Sequence, residues 1–177
     1  MKKATRFAVL GGGSWATAIV KMLCENHSGV LWYMRNEEAV AHIRTHGHNP
    51  NYLSSVTFDT TCLDLTTDPD KAIREADILI FAIPSAFLET ELSKVSESFE
   101  GKAIFSAIKG IVPESGRIVG EHFHEKYNIP YKKIGVITGP CHAEEVAQEK
   151  LSYLTIACSD RGLAREVAQA LSSPYIK

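Results

Sequence analysis

The sequence predicts an α/β fold built on a doubly wound, mainly parallel sheet. Short, almost wholly apolar runs recur along the chain, as in Phe7-Ala8-Val9-Leu10 and Ile78-Leu79-Ile80-Phe81-Ala82-Ile83, and such runs suit strands buried on both faces. Helix-like amphipathic segments separate the runs, and parallel strands need crossovers of that length. The first run ends in glycines and leads straight into a helix, Gly11-Gly12-Gly13-Ser14. At 177 residues the chain can bury roughly 70% of the surface its unfolded form exposes. Residues 1–177 are therefore expected to form one domain.

Taken in order, the first strand at 7–10 is followed by a helix over 14–26, with Ile19, Met22 and Leu23 on one face. Residues 30–34, Val-Leu-Trp-Tyr-Met, form the second strand, and Asn36 caps a helix carrying Glu37 and Glu38 in its first turn, where the helix dipole favours acids. From 46 to 67 the periodicity fails, and His-Asn-Pro-Asn-Tyr reads as a loop or short insertion. Residues 68–75 resume as a short helix with Pro69 in its first turn. A strand at 78–83 is stopped by Pro84, and another lies at 103–107. Residues 114–127 read as helix, 134–137 as strand, 141–149 as helix, 154–157 as strand and 161–171 as helix. Two of the late strands are open to an antiparallel placement.

Composition narrows the setting. Hydrophobic residues at 45% and charged residues at 23% suit an ordinary globular chain. A net charge of -2 excludes general attraction to nucleic acid or to acidic membranes. Cys24, Cys62, Cys141 and Cys158 lie far apart without a C-x-x-C pair, so reduced thiols are expected. His46 and His48 flank a glycine, and His122 and His124 face different sides of a helix, so no metal site is expected. The start, Met1-Lys2-Lys3 before an apolar stretch, resembles a signal peptide superficially, but the glycine cluster breaks the stretch and Lys21 ends it. No run of eighteen or more apolar residues is present, and a cytoplasmic protein is expected.

The glycine cluster carries the chemistry. Gly11-Gly12-Gly13-Ser14-Trp15-Ala16 is a G-x-G-x-x-A pattern between a strand and a helix. In a Rossmann-type fold Gly11 permits the tight turn, Gly13 lets a diphosphate approach the backbone, and small Ala16 lets the helix pack on the strand. The helix N-terminus adds oriented N–H donors and partial positive charge. These features point to NAD or NADP. At the end of the second strand an acid would normally hold the adenosine ribose of NAD, but Arg35 stands there. A guanidinium cannot accept those hydroxyls and can pair with a 2′-phosphate, which favours NADP; the alternative is a solvated Arg35 with Glu37 or Glu38 at the ribose.

Further segments converge on one family. Gly-Gly-Gly-Ser-Trp-Ala-Thr-Ala, Leu-Trp-Tyr-Met-Arg, His-Asn-Pro-Asn-Tyr-Leu, Ile-Pro-Ser at 83–85, Ile-Lys-Gly at 108–110 and Thr-Gly-Pro-Cys-His-Ala-Glu-Glu at 138–145 occur in order over nearly the whole chain. Together they resemble NAD(P)-dependent glycerol-3-phosphate dehydrogenase, whose members interconvert dihydroxyacetone phosphate and sn-glycerol 3-phosphate for glycerophospholipid and other lipid biosynthesis. The resemblance implies an N-terminal Rossmann domain followed by a helical substrate domain, and a homodimer at full length. It places Ser14 and Trp15 at the pyrophosphate turn, Arg35 and Tyr52 toward the adenosine, and Pro84 and Phe87 beside the nicotinamide half. Packing roles for Trp15, Pro84 and Phe87 fit the sequence equally well. Lys109 is implied as a contact shared by cofactor and substrate, Ala143 as a cofactor contact, and Gly139 and Cys141 as the substrate-side turn.

Two departures bear on the chemistry. Serine or threonine usually stands at the position of Cys141 and phenylalanine at that of His142, and a thiol is the poorer hydrogen-bonding group. A Cys141–His142 dyad is disfavoured, because adjacent residues in a helix point about 100° apart. The family's proton-transfer lysine lies in an Ala-x-x-Lys-Asn type segment at the start of the helical domain, and no such segment occurs here. No catalytic residue is therefore assigned in this chain, which is expected to be a fragment that binds cofactor without turning over substrate. The rival readings are the cofactor domain of another hydroxy-acid dehydrogenase, or a non-catalytic nucleotide-sensing module on the same fold.

Overall fold

A computed structural model describes residues 4–177; Met1-Lys2-Lys3, with their signal-like charge, lie outside the described residues. Seven strands form one sheet: β1 (Phe7–Leu10), β2 (Val30–Tyr33), β3 (Leu63–Thr66), β4 (Ile78–Phe81), β5 (Ala103–Ser106), β8 (Ile134–Thr138) and β9 (Thr155–Cys158). Their order is β3-β2-β1-β4-β5-β8-β9, and every neighbouring pair is parallel except β8 with β9. A two-stranded antiparallel ribbon, β6 (Ile111–Val112) with β7 (Arg117–Ile118), stands apart from it.

Alternation along each strand builds a core on either side of the sheet. Phe7 and Val9 pack with α1 (Ser14–Cys24), α2 (Glu37–His46), α6 (Ala143–Ala147) and α7 (Arg161–Leu171). Ala8 and Leu10 pack on the other side with α3 (Pro69–Glu75), α4 (Ser85–Leu92) and α5 (Val119–Tyr127). This is the doubly wound arrangement that the apolar runs predict. Each large side chain so buried contributes about 1.5–3 kcal/mol. Trp32, Phe81 and Phe105 lie wholly inside, and Trp32 is also satisfied, its Nε1–H donating to Gly11 O at 2.7 Å.

Three expectations are corrected, and one segment without an assignment proves helical. The irregular stretch from 46 to 67 contains β3, which pairs along β2; its Leu-Asp-Leu-Thr pattern is too short and polar to stand out, and Asp64 is held there by Arg6 at 2.7 Å and Lys71 at 2.6 Å. The segment after Pro84 is α4, in which Leu88, Glu91 and Leu92 are buried. The helix expected over 114–127 begins only at Val119: Gly116, with φ 67°, turns the chain so that its N–H donates to Val112 O and closes the ribbon. Finally, the helix expected over 141–149 shrinks to Ala143–Ala147, with His142 extended as its N-cap residue and its backbone N–H donating to Glu145 Oε2.

Candidate functional site

The strand order reverses between β1 and β4, and the loops leaving those two strands diverge into a cleft. About 480 Å³ in volume, it is lined by Gly11, Gly12 and Gly13 from one loop, Ala82, Ile83 and Pro84 from the other, and Arg35, Tyr52, Phe87 and Glu91 around its far side. The turn itself is closely pinned. Gly11 N–H donates to Tyr33 O at 3.0 Å, and Ala82 N–H donates to Leu10 O at 2.9 Å. Gly11 has φ 140°, and a Cβ there would lie 2.3 Å from Ala82 O, so only glycine fits.

Gly13 differs. A Cβ built on it meets nothing within 4 Å, so this face of the turn is open. It is the N-cap residue of α1 and offers no capping side chain. A helix start without a side-chain cap, beside an open glycine, is the arrangement an anionic diphosphate requires. Ala16 is buried and faces the turn, where a Cβ on Gly11 would stand 3.5 Å from its own. Its role is to let helix and turn meet.

Asn49 was not singled out by sequence, yet it ties the site together. Although 1% exposed, it lies in the irregular loop after α2 and makes four hydrogen bonds. Its Nδ2 donates to Gly12 O at 3.1 Å and to Thr17 Oγ1 at 2.9 Å, and its Oδ1 accepts from the N–H groups of Asn51 at 3.0 Å and Tyr52 at 3.3 Å. The amide thus fixes the Tyr52 loop to the glycine turn. The one sequence signal was its place in His-Asn-Pro-Asn-Tyr.

Charge in this cleft is set by Arg35 and Glu91. Arg35 is exposed over much of its side chain, with its guanidinium carbon 5.6 Å from the Phe87 ring centroid and Nη1 3.9 Å from Glu91 Oε1. Neither Glu37 nor Glu38 lines the cleft; its carboxylate is Glu91, which the sequence reading missed. Burial alone would raise the Glu91 pKa, but hydrogen bonds from Lys94 at 2.8 Å and Tyr33 Oη at 2.6 Å override it and hold the group below the ordinary carboxylate value. Both oxygens are engaged, so Glu91 is poorly placed to accept ribose hydroxyls. Burial pushes the Tyr33 hydroxyl well above its usual range, and donation to Glu91 adds to the shift.

A second cleft, of about 570 Å³, opens on the other side of the α1 start. Ser14, Trp15, Lys109, Gly139, Cys141, His142 and Ala143 line it. Gly13 and Ser14 are consecutive, one in each cleft, so the helix N-terminus forms the divide. Pro84 and Phe87 stand in the first cleft with Arg35 and Tyr52, not in the second with Lys109, because Pro84 directs the chain from β4 into α4. Lys109 is exposed beyond the carboxyl end of β5, and Gly110 turns the chain after it with φ 88°. The Cys141 thiol lies 3.8 Å from Tyr153 O and its pKa is raised, by burial first and by Glu145, with Lys109 opposing. A protonated thiol directed at a carbonyl, beside an extended His142, does not form a nucleophilic dyad.

Comparison with known proteins decides the family. Residues 6–164 match the family described as NAD-dependent glycerol-3-phosphate dehydrogenase N-terminus. The chain belongs to that family. Among curated relatives, the glycerol-3-phosphate dehydrogenase [NAD(P)+] of Ectopseudomonas mendocina is 36% identical over 97% of this chain and 49% of its own length. That of Corynebacterium aurimucosum is 33% identical over 96% of this chain and 51% of its own. The chain thus spans about half the length of these relatives. Two solved glycerol-3-phosphate dehydrogenases share the fold: one from Plasmodium falciparum, with a TM-score of 0.86, 24% identity and 98% and 51% of the two chains covered, and one from Coxiella burnetii, with a TM-score of 0.84, 22% identity and 98% and 52% covered.

Proposed function

We propose that this chain is the cofactor-binding domain of a glycerol-3-phosphate dehydrogenase, holding NADP or NAD across the start of α1 for the interconversion of dihydroxyacetone phosphate and sn-glycerol 3-phosphate. The observation that carries the reading is the open, side-chain-free turn at Gly13, set where two clefts meet at the topological switch point. The adenosine half lies with Arg35 and Tyr52 in the first cleft, and the reacting half with Lys109, Gly139, Cys141 and Ala143 in the second. Pro84 and Phe87 close the first cleft over the diphosphate, and Ser14 and Trp15 flank it from the helix start. The bound nicotinamide supplies the hydride exchanged with a carbonyl carbon. Lys109 places positive charge beside the oxygen that becomes negative, and the Cys141 backbone, more than its protonated thiol, donates to the substrate. Arg35 favours NADP, because no carboxylate in the first cleft is free to accept from a ribose diol.

The proton-transfer group and most of the phosphate site belong to a helical domain of the whole enzyme in this reading, which is a cytoplasmic homodimer. Orientation by such a second wall accounts for about 7–11 kcal/mol of a barrier. Residues 1–177 are therefore expected to bind NADPH without measurable reduction of dihydroxyacetone phosphate, while the full-length product of the parent gene turns it over. Near-normal turnover by residues 1–177 would move the catalytic group into this chain and make Lys109 and His142 the first to replace. Absence of turnover by the full-length product would favour a different hydroxy-acid substrate or a sensing role.

A further inference from the structure

We infer that His42, His46 and His48 form a binding site for a borderline divalent metal ion such as Zn²⁺, Ni²⁺ or Cu²⁺ at the C-terminal end of α2, outside the lining of both clefts. His42 and His46 are four residues apart on one helix face, with ring centroids 4.4 Å apart. Gly47, in the left-handed region at φ 73°, ends the helix and turns His48 back against it. His48 Nε2 then lies 3.1 Å from His42 Nε2. Two nitrogens bound to one tetrahedral zinc at about 2.0–2.1 Å stand roughly 3.3 Å apart. The existing separation is within a few tenths of an ångström of that value.

The hydrogen bonding sets the ligand atoms. His48 Nδ1 lies 3.2 Å from His46 O and donates to it, which leaves the Nε2 lone pair directed at His42. A backbone carbonyl behind a ring nitrogen is the support that metal-bound histidines use. Without metal, His42 Nε2–H donates to His48 Nε2. On binding, that proton moves to His42 Nδ1, both rings stay neutral, and both Nε2 atoms face the ion.

Among the described residues no three such side chains are placed to hold a metal ion as they stand. His46 is the one out of place, its ring 6.2 Å from that of His48. It is exposed and one turn from His42, so the proposed ion would take it as third ligand only after its side chain reorients. Three imidazoles without a carboxylate select Zn²⁺, Cu²⁺ or Ni²⁺ over Mg²⁺ or Ca²⁺. The sequence reading found no metal-site spacing in His46 and His48 and expected no metal; the fold brings His42 beside them.

The test is titration of the metal-free chain with Zn²⁺, Ni²⁺, Cu²⁺ and Mg²⁺ by calorimetry, with the Cu²⁺ form examined by electron paramagnetic resonance. One ion per chain is expected, with Cu²⁺ tightest, Mg²⁺ undetected and nitrogen coupling in the Cu²⁺ spectrum. His42→Ala and His48→Ala should each weaken Zn²⁺ binding by at least about tenfold, and His46→Ala by less. His124→Ala, a distant imidazole on α5, should leave it unchanged, and circular dichroism establishes that the variants fold. Undiminished binding in a folded His42→Ala, His48→Ala double variant overturns the site, as does a Cu²⁺ spectrum without nitrogen coupling.

Discussion

The two clefts meet at one helix start but are held in shape by different means. The first is framed by the centre of the sheet. β1, β2 and β4 are buried at every position, Gly11 is locked between Tyr33, Trp32 and Ala82, and buried Asn49 fastens the outer loop to the turn. The second sits toward the far edge, where β8 exposes Val136 and Thr138 and β9 is covered on neither face completely. Lys109 there reaches solvent. The difference teaches that the shape of the first cleft is enforced by core packing, whereas the second is formed by exposed side chains and a surface loop.

If so, equivalent insults should cost unequal amounts. Gly11→Ala combines a left-handed φ with a Cβ 2.3 Å from a buried carbonyl, and is expected to destabilise by about 4 kcal/mol, the sum of backbone strain and overpacking. A urea midpoint close to that of the unaltered chain would show that the centre of the sheet is not rigid. Asn49→Ala removes four hydrogen bonds from a buried position and should cost about 2–3 kcal/mol, while also weakening nucleotide binding through the Tyr52 loop. A loss of stability with unaltered nucleotide affinity would separate that loop from the site.

Smaller effects sharpen the contrast. A charge-assisted hydrogen bond at an exposed position is worth about 1.5 kcal/mol, so Arg35 should favour NADPH over NADH roughly tenfold. Arg35→Ala should lose most of that preference and reduce the salt dependence of NADPH binding. Equal affinity of the unaltered chain for both nucleotides would remove the argument. Gly139→Ala also meets a carbonyl, Tyr153 O at 2.5 Å, but without the positive φ of Gly11 and the backbone strain that goes with it. About 1–3 kcal/mol is expected. A cost matching that of Gly11→Ala would erase the distinction between the two clefts.

The same contrast governs what could be read from the sequence. Continuous apolar runs mark β1, β2, β4 and β5 because those strands are buried on both faces, and the glycine turn follows from its place between a strand and a helix. Elements defined by tertiary partners were not legible. β3 is a four-residue edge strand whose Asp64 is acceptable only because Arg6 and Lys71 reach it. α4 was obscured because Glu89 and Glu91 interrupt its apolar pattern; both point inward, Glu91 to Tyr33 and Lys94 and Glu89 to His122 at 2.5 Å. Asn49 and Glu91, the polar anchors of the first cleft, are ordinary residues until the fold buries them. The His142 position turned on backbone geometry, extended at the N-cap instead of helical.

The claim that the cofactor lies against the open face of the glycine turn is tested most directly with Gly13→Val. The new side chain enters space empty of protein, since a Cβ meets nothing within 4 Å, so the variant should fold with a stability change below about 1 kcal/mol. NADPH fluorescence titrated with each protein should show saturable binding to the unaltered chain and none to a Gly13→Val variant whose circular dichroism and urea midpoint are unaltered. Equal NADPH affinity of the folded variant and the unaltered chain would contradict the placement.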